Sequence, residues 1–207
     1  MQDFNAWAQN TKDALENWGA PTQNANFHIS DRVVMYSTYV IDGGTALPSL
    51  IKFFDSGYQN SNLSSDSFPL NGKAVTIWGI RVEHCLKLDS NVGAENEQQQ
   101  ALEAFSTLSI RYRNRSGVFS APLSSLVPNV SYVDGNDVVT DTKVGQWMLF
   151  KNPLQYGATA PINFELNIPS GFTTETEAND TTPQLPASVG GKYWIKLELL
   201  TSQMTQI

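Results

Sequence analysis

From residue 27 onward, apolar positions recur mostly every second residue, in short runs broken by Gly, Asn, Asp and Pro. That period belongs to strands with one buried face. The first run, residues 32–41 (RVVMYSTYVI), is β-branched and aromatic at both parities, which predicts a strand buried between two layers. Asp42-Gly43-Gly44 turns the chain into a second apolar run at residues 49–54 (SLIKFF). A polar loop over 55–66 and a tight-turn dipeptide, Asn71-Gly72, lead into residues 73–88 (KAVTIWGIRVEHCLKL). There Val75 and Ile77 share one parity, while Ile80, Val82, Leu86 and Leu88 take the other. A change of buried face at Gly79 is what a β-bulge or a bend between sheets produces.

Residues 89–100 (DSNVGAENEQQQ) are polar and read as a mobile loop, with a helical turn entering residues 101–104. Over 105–113 the pattern turns Leu108, Ile110 and Tyr112 inward and Thr107, Ser109, Arg111 and Arg113 outward. The Pro-interrupted stretch 118–127 predicts an edge strand, and 134–137 a turn. Further strands are expected at 144–150 (VGQWMLF), 161–168 (PINFELNI) and 192–200 (KYWIKLELL). In 161–168, Ile162, Phe164, Leu166 and Ile168 alternate strictly with Asn163, Glu165 and Asn167. Roughly eight strands joined by long, uneven, polar connections favour a Greek-key sandwich over a meander, and no internal repeat is visible. The expected fold is all-β: a single jelly roll (Greek-key β-sandwich) over residues 27–207, behind an arm and linker over 1–26.

That arm carries a different period. Phe4, Trp7, Ala8, Thr11, Leu15 and Trp18 lie three, four or seven apart, one stripe of an amphipathic helix over residues 3–18. Asp3 can cap its start, and Gly19 and Pro21 stop it. The stripe suits packing under a sheet or onto a neighbouring subunit; its Trp and Phe also suit a membrane surface. Interfacial helices carry Lys and Arg on their polar face, whereas this one sets Asp3, Asp13 and Glu16 against Lys12, which favours packing.

Composition narrows the chemistry. The 207 residues suffice for one β domain, and 41% are hydrophobic, enough for a sizeable core. Only 16% are charged, with a net charge of -7 and a pI near 4.7. Phosphate binding needs clustered Lys and Arg, so direct nucleic-acid binding is disfavoured. Arg111, Arg113 and Arg115 are the nearest approach to a cluster; against the acidic background they read better as a contact strand paired with acidic neighbours. The N-terminus lacks the basic and apolar regions of a signal peptide, so folding in the cytoplasm is expected.

Two His and one Cys leave little reactive material. His28 and His84 are remote from each other, and no cofactor or metal is expected. His84 shares the apolar parity of Val82, and Cys85 points the opposite way, so the two do not form a nucleophile pair. Asp134, Asn136, Asp137 and Asp141 could offer oxygens to calcium, without the spacing of an established loop. Glu83, Glu165 and Glu198 are the acids a glycosidase would pair, a weak signal in any chain. Sequons begin at Asn62, Asn114, Asn129 and Asn179, as chance allows in so Asn-rich a chain. The expectation is a protein that is not an enzyme.

The segments SLIKFFDSGYQN and FPLNGKAVTIWGIRV resemble jelly-roll capsid proteins of tailless icosahedral phages, where an early strand leads through a polar loop to a Gly-containing long strand. NPLQYGATAPINFELNIPSG and KYWIKLELL look like the final strands of such subunits. The resemblance implies a virion structural protein, assembled in the host cytoplasm into an icosahedral shell with copies of itself and other virion proteins. Phe4, Trp7, Leu15 and Trp18 would then anchor an assembly arm, and residues 1–20 would lie near lipid where a virion contains it. The chain differs from many such proteins in lacking a basic packaging arm and in having length for one jelly roll, not two. The alternative is a carbohydrate- or receptor-binding β-sandwich using Trp78, Tyr156 and Trp194; a glycan-cleaving sandwich ranks behind both.

Overall fold

Alternation becomes two antiparallel sheets in the computed structural model, which describes residues 27–55, 60–62, 73–86, 88–89, 95–112, 115–127, 147–156, 162–176 and 192–206. The strands are β1 (Phe27–Asp42), β2 (Leu50–Phe53), β3 (Asn60–Ser61), β4 (Lys73–Cys85), β5 (Thr107–Tyr112), β6 (Arg115–Pro122), β7 (Met148–Tyr156), β8 (Ile162–Asn167) and β9 (Lys192–Gln206). One sheet runs β3-β1-β9-β4-β7 and the other β2-β8-β5-β6. The pairings nest: β1 lies with β9, β2 with β8, β4 with β7, and β5 with β6. The expected arm (3–18) and the Asp134–Asp141 segment lie outside the described residues.

A shared core of inward side chains joins the sheets into a β-sandwich. Ile80, Val82 and Leu197 from the five-stranded sheet and Ile110, Phe164 and Leu166 from the four-stranded one are fully buried in it. In β8 every apolar position read from the alternation is buried.

The expected change of face occurs at Gly79. Before it Val75 and Ile77 are buried, and after it Ile80 and Val82. Pairing with β9 steps from Ile77–Thr201 to Gly79–Leu200, so Trp78 is the extra residue of a bulge. Its indole N–H donates to Ser202 Oγ at 2.9 Å. Without the bulge, strict alternation would turn Arg81 and Glu83 into the core and Ile80 and Val82 out of it. A Cβ at position 79 would lie 2.9 Å from Leu149 Cδ2 and 3.1 Å from Met148 O, so glycine lets β7 approach closely here.

Three sequence expectations are corrected. Residues 32–41 were expected to be buried on both faces; Met35, Ser37 and Ile41 are, but Val34, Tyr36 and Val40 are exposed, because they cover the outside of the larger sheet. Residues 95–100, expected as loop, belong to helix α1 (Glu95–Phe105). Among the described side chains of α1, Leu102 alone is in the core, and polar bonds give further support: Gln98 Nε2 donates to Asp89 O at 2.7 Å. The strand expected at 144–150 is β7, which begins at Met148 and continues through Pro153 to Tyr156. The predicted edge at 118–127 is β6, an edge strand followed by a 3-10 turn at Leu123–Ser125.

The turn after β1 is tied to residues 173–175 by Thr174, whose hydroxyl donates to Asp42 O at 2.9 Å and accepts from Thr45 N–H at 3.1 Å. Gly44 sits there at φ 71, and a Cβ on it would run into Thr176 Cγ2. Gly44→Ala combines a left-handed backbone with a steric clash and is expected to lower unfolding free energy by about 2 kcal/mol. Urea denaturation of the two proteins measures this; an unchanged midpoint would show that the turn relaxes freely.

Candidate functional site

The bulge at Gly79 and the alternation of β1 and β9 bring four charged side chains onto the outer face of the five-stranded sheet. Register places Tyr36, Glu198 and Arg81 side by side across β1, β9 and β4, with Thr38, Lys196 and Glu83 in the adjacent outward row. Charge therefore alternates in both directions across a square of Arg81, Glu83, Lys196 and Glu198. Arg81 Nε binds Glu198 Oε2, and its terminal nitrogen lies 3.1 Å from Glu83 Oε1. Lys196 Nζ lies 2.5 Å from Glu198 Oε1.

Aromatic rings flank the square. Arg81 sits over the Trp147 ring at 4.7 Å, and Lys196 over the Tyr36 ring at 5.0 Å, both within cation–π range. Exposed Val34, Val40 and Leu149 continue the face outward. Glu198 lies beneath its partners with a buried side chain. Burial pushes its carboxyl pKa up, but hydrogen bonds and charge from Lys196 and Arg81 outweigh this and hold it below the usual range. An electroneutral lattice framed by rings and aliphatics is suited to recognition: its charges balance, and its apolar border gains from being covered.

His84, at the inner-facing end of β4, is a satisfied histidine. Its Nε2 is 3.0 Å from Glu103 Oε1 on α1, and its side chain is buried. Burial raises the Glu103 pKa, yet the hydrogen bond and charge of His84, with a bond from Gln99, bring it below its usual value. Cys85 stands opposite Trp194 in the register, and burial pushes its thiol pKa up, away from the reactive thiolate.

The other sequence candidates are dispersed. Arg111 on β5 is exposed and pairs with Glu165 of β8 at 3.1 Å. Arg113 lies outside the described residues, as do the side chain of Arg115 and the arm residues Phe4, Trp7, Leu15 and Trp18. Of the acids considered for glycosidase chemistry, Glu83 and Glu198 are both held by Arg81, while Glu165 is on the other sheet. Tyr156 is buried, whereas Trp78 and Trp194 are half-buried. Asn62 uses its side chain on the backbone of β1, accepting from Tyr36 N–H and donating to Val34 O, each at 2.8 Å. Among the described residues, no group of three or more His, Cys, Asp or Glu is placed to hold a metal ion.

Sequence reading missed the charged square because its signal is weak: the paired motifs Arg81-x-Glu83 and Lys196-x-Glu198 inside apolar runs, on strands distant in sequence. The fold defines the class, an antiparallel two-sheet β-sandwich with a charged and aromatic outer face. No family model matches the chain, and no curated protein or solved structure matches it.

Proposed function

We propose that this chain is a virion structural protein: a jelly-roll capsid subunit that self-assembles into an icosahedral shell. The observation that carries the reading is the nested order of the strands, first with last and each successive pair inside the previous one. One long antiparallel hairpin rolled into two four-stranded layers has this order, with the two-residue β3 as an added edge. The architecture serves capsids, lectins and cupins alike, so the surface must decide among them. A partly apolar outer face with matched charges favours protein–protein contact, and the resemblance of the β2, β4, β8 and β9 segments to phage capsid subunits points the same way.

In this reading residues 1–26 are an arm whose Phe4, Trp7, Leu15 and Trp18 lock onto a neighbouring subunit. Partners are copies of the chain and other virion proteins, with membrane lipid reached through residues 1–20 if the virion contains it. Size-exclusion chromatography with light scattering, followed by electron microscopy, tests the proposal. Pentamers, hexamers or shells are expected. A strict monomer that binds a glycan array would replace this reading with a carbohydrate- or receptor-binding module. Deleting residues 1–20 is expected to shift the assembly to smaller species while the β-sheet circular dichroism stays intact; an unchanged assembly would remove the arm from the proposal.

A further inference from the structure

The geometry points to the outer face of the five-stranded sheet as a self-complementary, two-fold interface with a second copy of this chain. The inference rests on the self-assembly reading above and names the surface that such assembly would use. Consider an axis lying in the interface plane between β9 and β4, parallel to the strands. Rotation about it exchanges the β9 and β4 columns and keeps every row in place. Lys196 and Glu83 share a row, so each Lys196 meets the partner's Glu83 and each pairing occurs twice. These two side chains can reach a partner: they are 26% and 33% exposed. A two-fold axis across the strands would instead set Lys196 against Glu198, whose side chain is only 4% exposed. The first axis therefore sets the two most exposed charges of the square against each other.

The apolar positions agree with it independently. Val34, Leu200, Gly79 and Leu149 form one row across β1, β9, β4 and β7. The same rotation lays Val34 at one end of that row on the partner's Leu149 at the other. Those two are 37% and 66% exposed, so the operation covers apolar surface with apolar surface. Strands of the two copies then run roughly parallel, as in aligned sheet packing. Four strand spacings by about eight rows give roughly 500 Å² of flat area per copy, near the lower bound for a specific interface.

Reciprocal charge reversal tests the arrangement in the full chain. Lys196→Glu and Glu83→Lys each place like charges across the axis, and each is expected to weaken self-association by about tenfold in sedimentation experiments. An equimolar mixture of the two variants restores opposite charges at both contacts and is expected to recover most of the wild-type association. Circular dichroism and thermal unfolding establish that both variants are folded. Leu149→Asp, at an apolar position outside the ion pairs, supplies a separate variant with the same expected weakening. Variants that associate like the wild type, or a mixture that fails to recover, overturn the interface while leaving self-assembly standing. A wild-type chain that stays monomeric at every concentration overturns both.

Discussion

Phe164→Ala is expected to cost about 4 kcal/mol of unfolding free energy, a large share of the roughly 5–15 kcal/mol that holds a domain folded. Phe164 sits on β8, paired with Phe53 of β2 on one side and Ile110 of β5 on the other. It is 1% exposed, so its removal opens a cavity in the centre of the four-stranded sheet, where flanking strands limit collapse. Its ring also meets Phe54 edge-on, with centroids 5.4 Å apart and planes at 64°. Phe54 is held at φ 57, a left-handed conformation unfavourable for an aromatic residue. The Phe54 N–H donates to Ser37 Oγ at 3.0 Å, and the ring contact helps to hold the side chain. Alanine at 164 therefore removes transfer energy, an aromatic pair and a support for strained backbone together. Phe164→Leu, which fills most of the volume, is expected to lose less than half as much. Urea unfolding of the three proteins measures the series, and a loss below about 1 kcal/mol for alanine would mean the core repacks around the gap.

Phe164 was legible in the sequence because β8 alternates without interruption and its register demands one buried face. Gly79 was legible for the complementary reason: a change of parity within a strand needs an inserted residue, and glycine marks where neighbours come close. What escaped was governed by contacts between distant segments. Val34, Tyr36 and Val40 are good strand formers, and residue type reports that preference without saying whether the face is covered. Helix α1 puts Leu102 in the core and is anchored by side-chain bonds to Asp89 and His84, which no local period reveals. In β7 the sequence Lys151-Asn152-Pro153 breaks the alternation, yet pairing with β4 on either side of it keeps the strand in the sheet. The charged square depends on Arg81 and Glu198 meeting across 117 residues of sequence. Glu83 and Glu198, read singly, looked like scattered acids; only the register turns them into one lattice.

Substituting Glu198 tests that lattice most directly, and Glu198→Ala is expected to cost about 3 kcal/mol. The carboxylate is the common partner of Arg81 and Lys196, so its loss leaves the half-buried Lys196 without its carboxylate and Arg81 with Glu83 alone. Both cations retain some contact with water, which keeps the cost toward the lower end for a broken buried pair. The same group gives stability a defined pH dependence. Its folded pKa lies below that of an unfolded glutamate, as does that of Glu103, so each stabilises the fold fully above about pH 4.3. As pH falls through the folded pKa values, protons bind and the contribution disappears. Wild-type stability should therefore decline on acidification, and Glu198→Gln should show a shallower decline, with Glu103 contributing to the remainder. Thermal unfolding across this range decides the matter: equal acid slopes for the two proteins would mean the Glu198 carboxylate gains nothing from its neighbours. The outcome bears on assembly as well, because Glu198 holds Lys196 in the position from which it would meet a partner's Glu83. Glu198→Gln should weaken self-association at neutral pH, where the fold itself survives, and that separates the lattice's role in orienting the face from its role in stability.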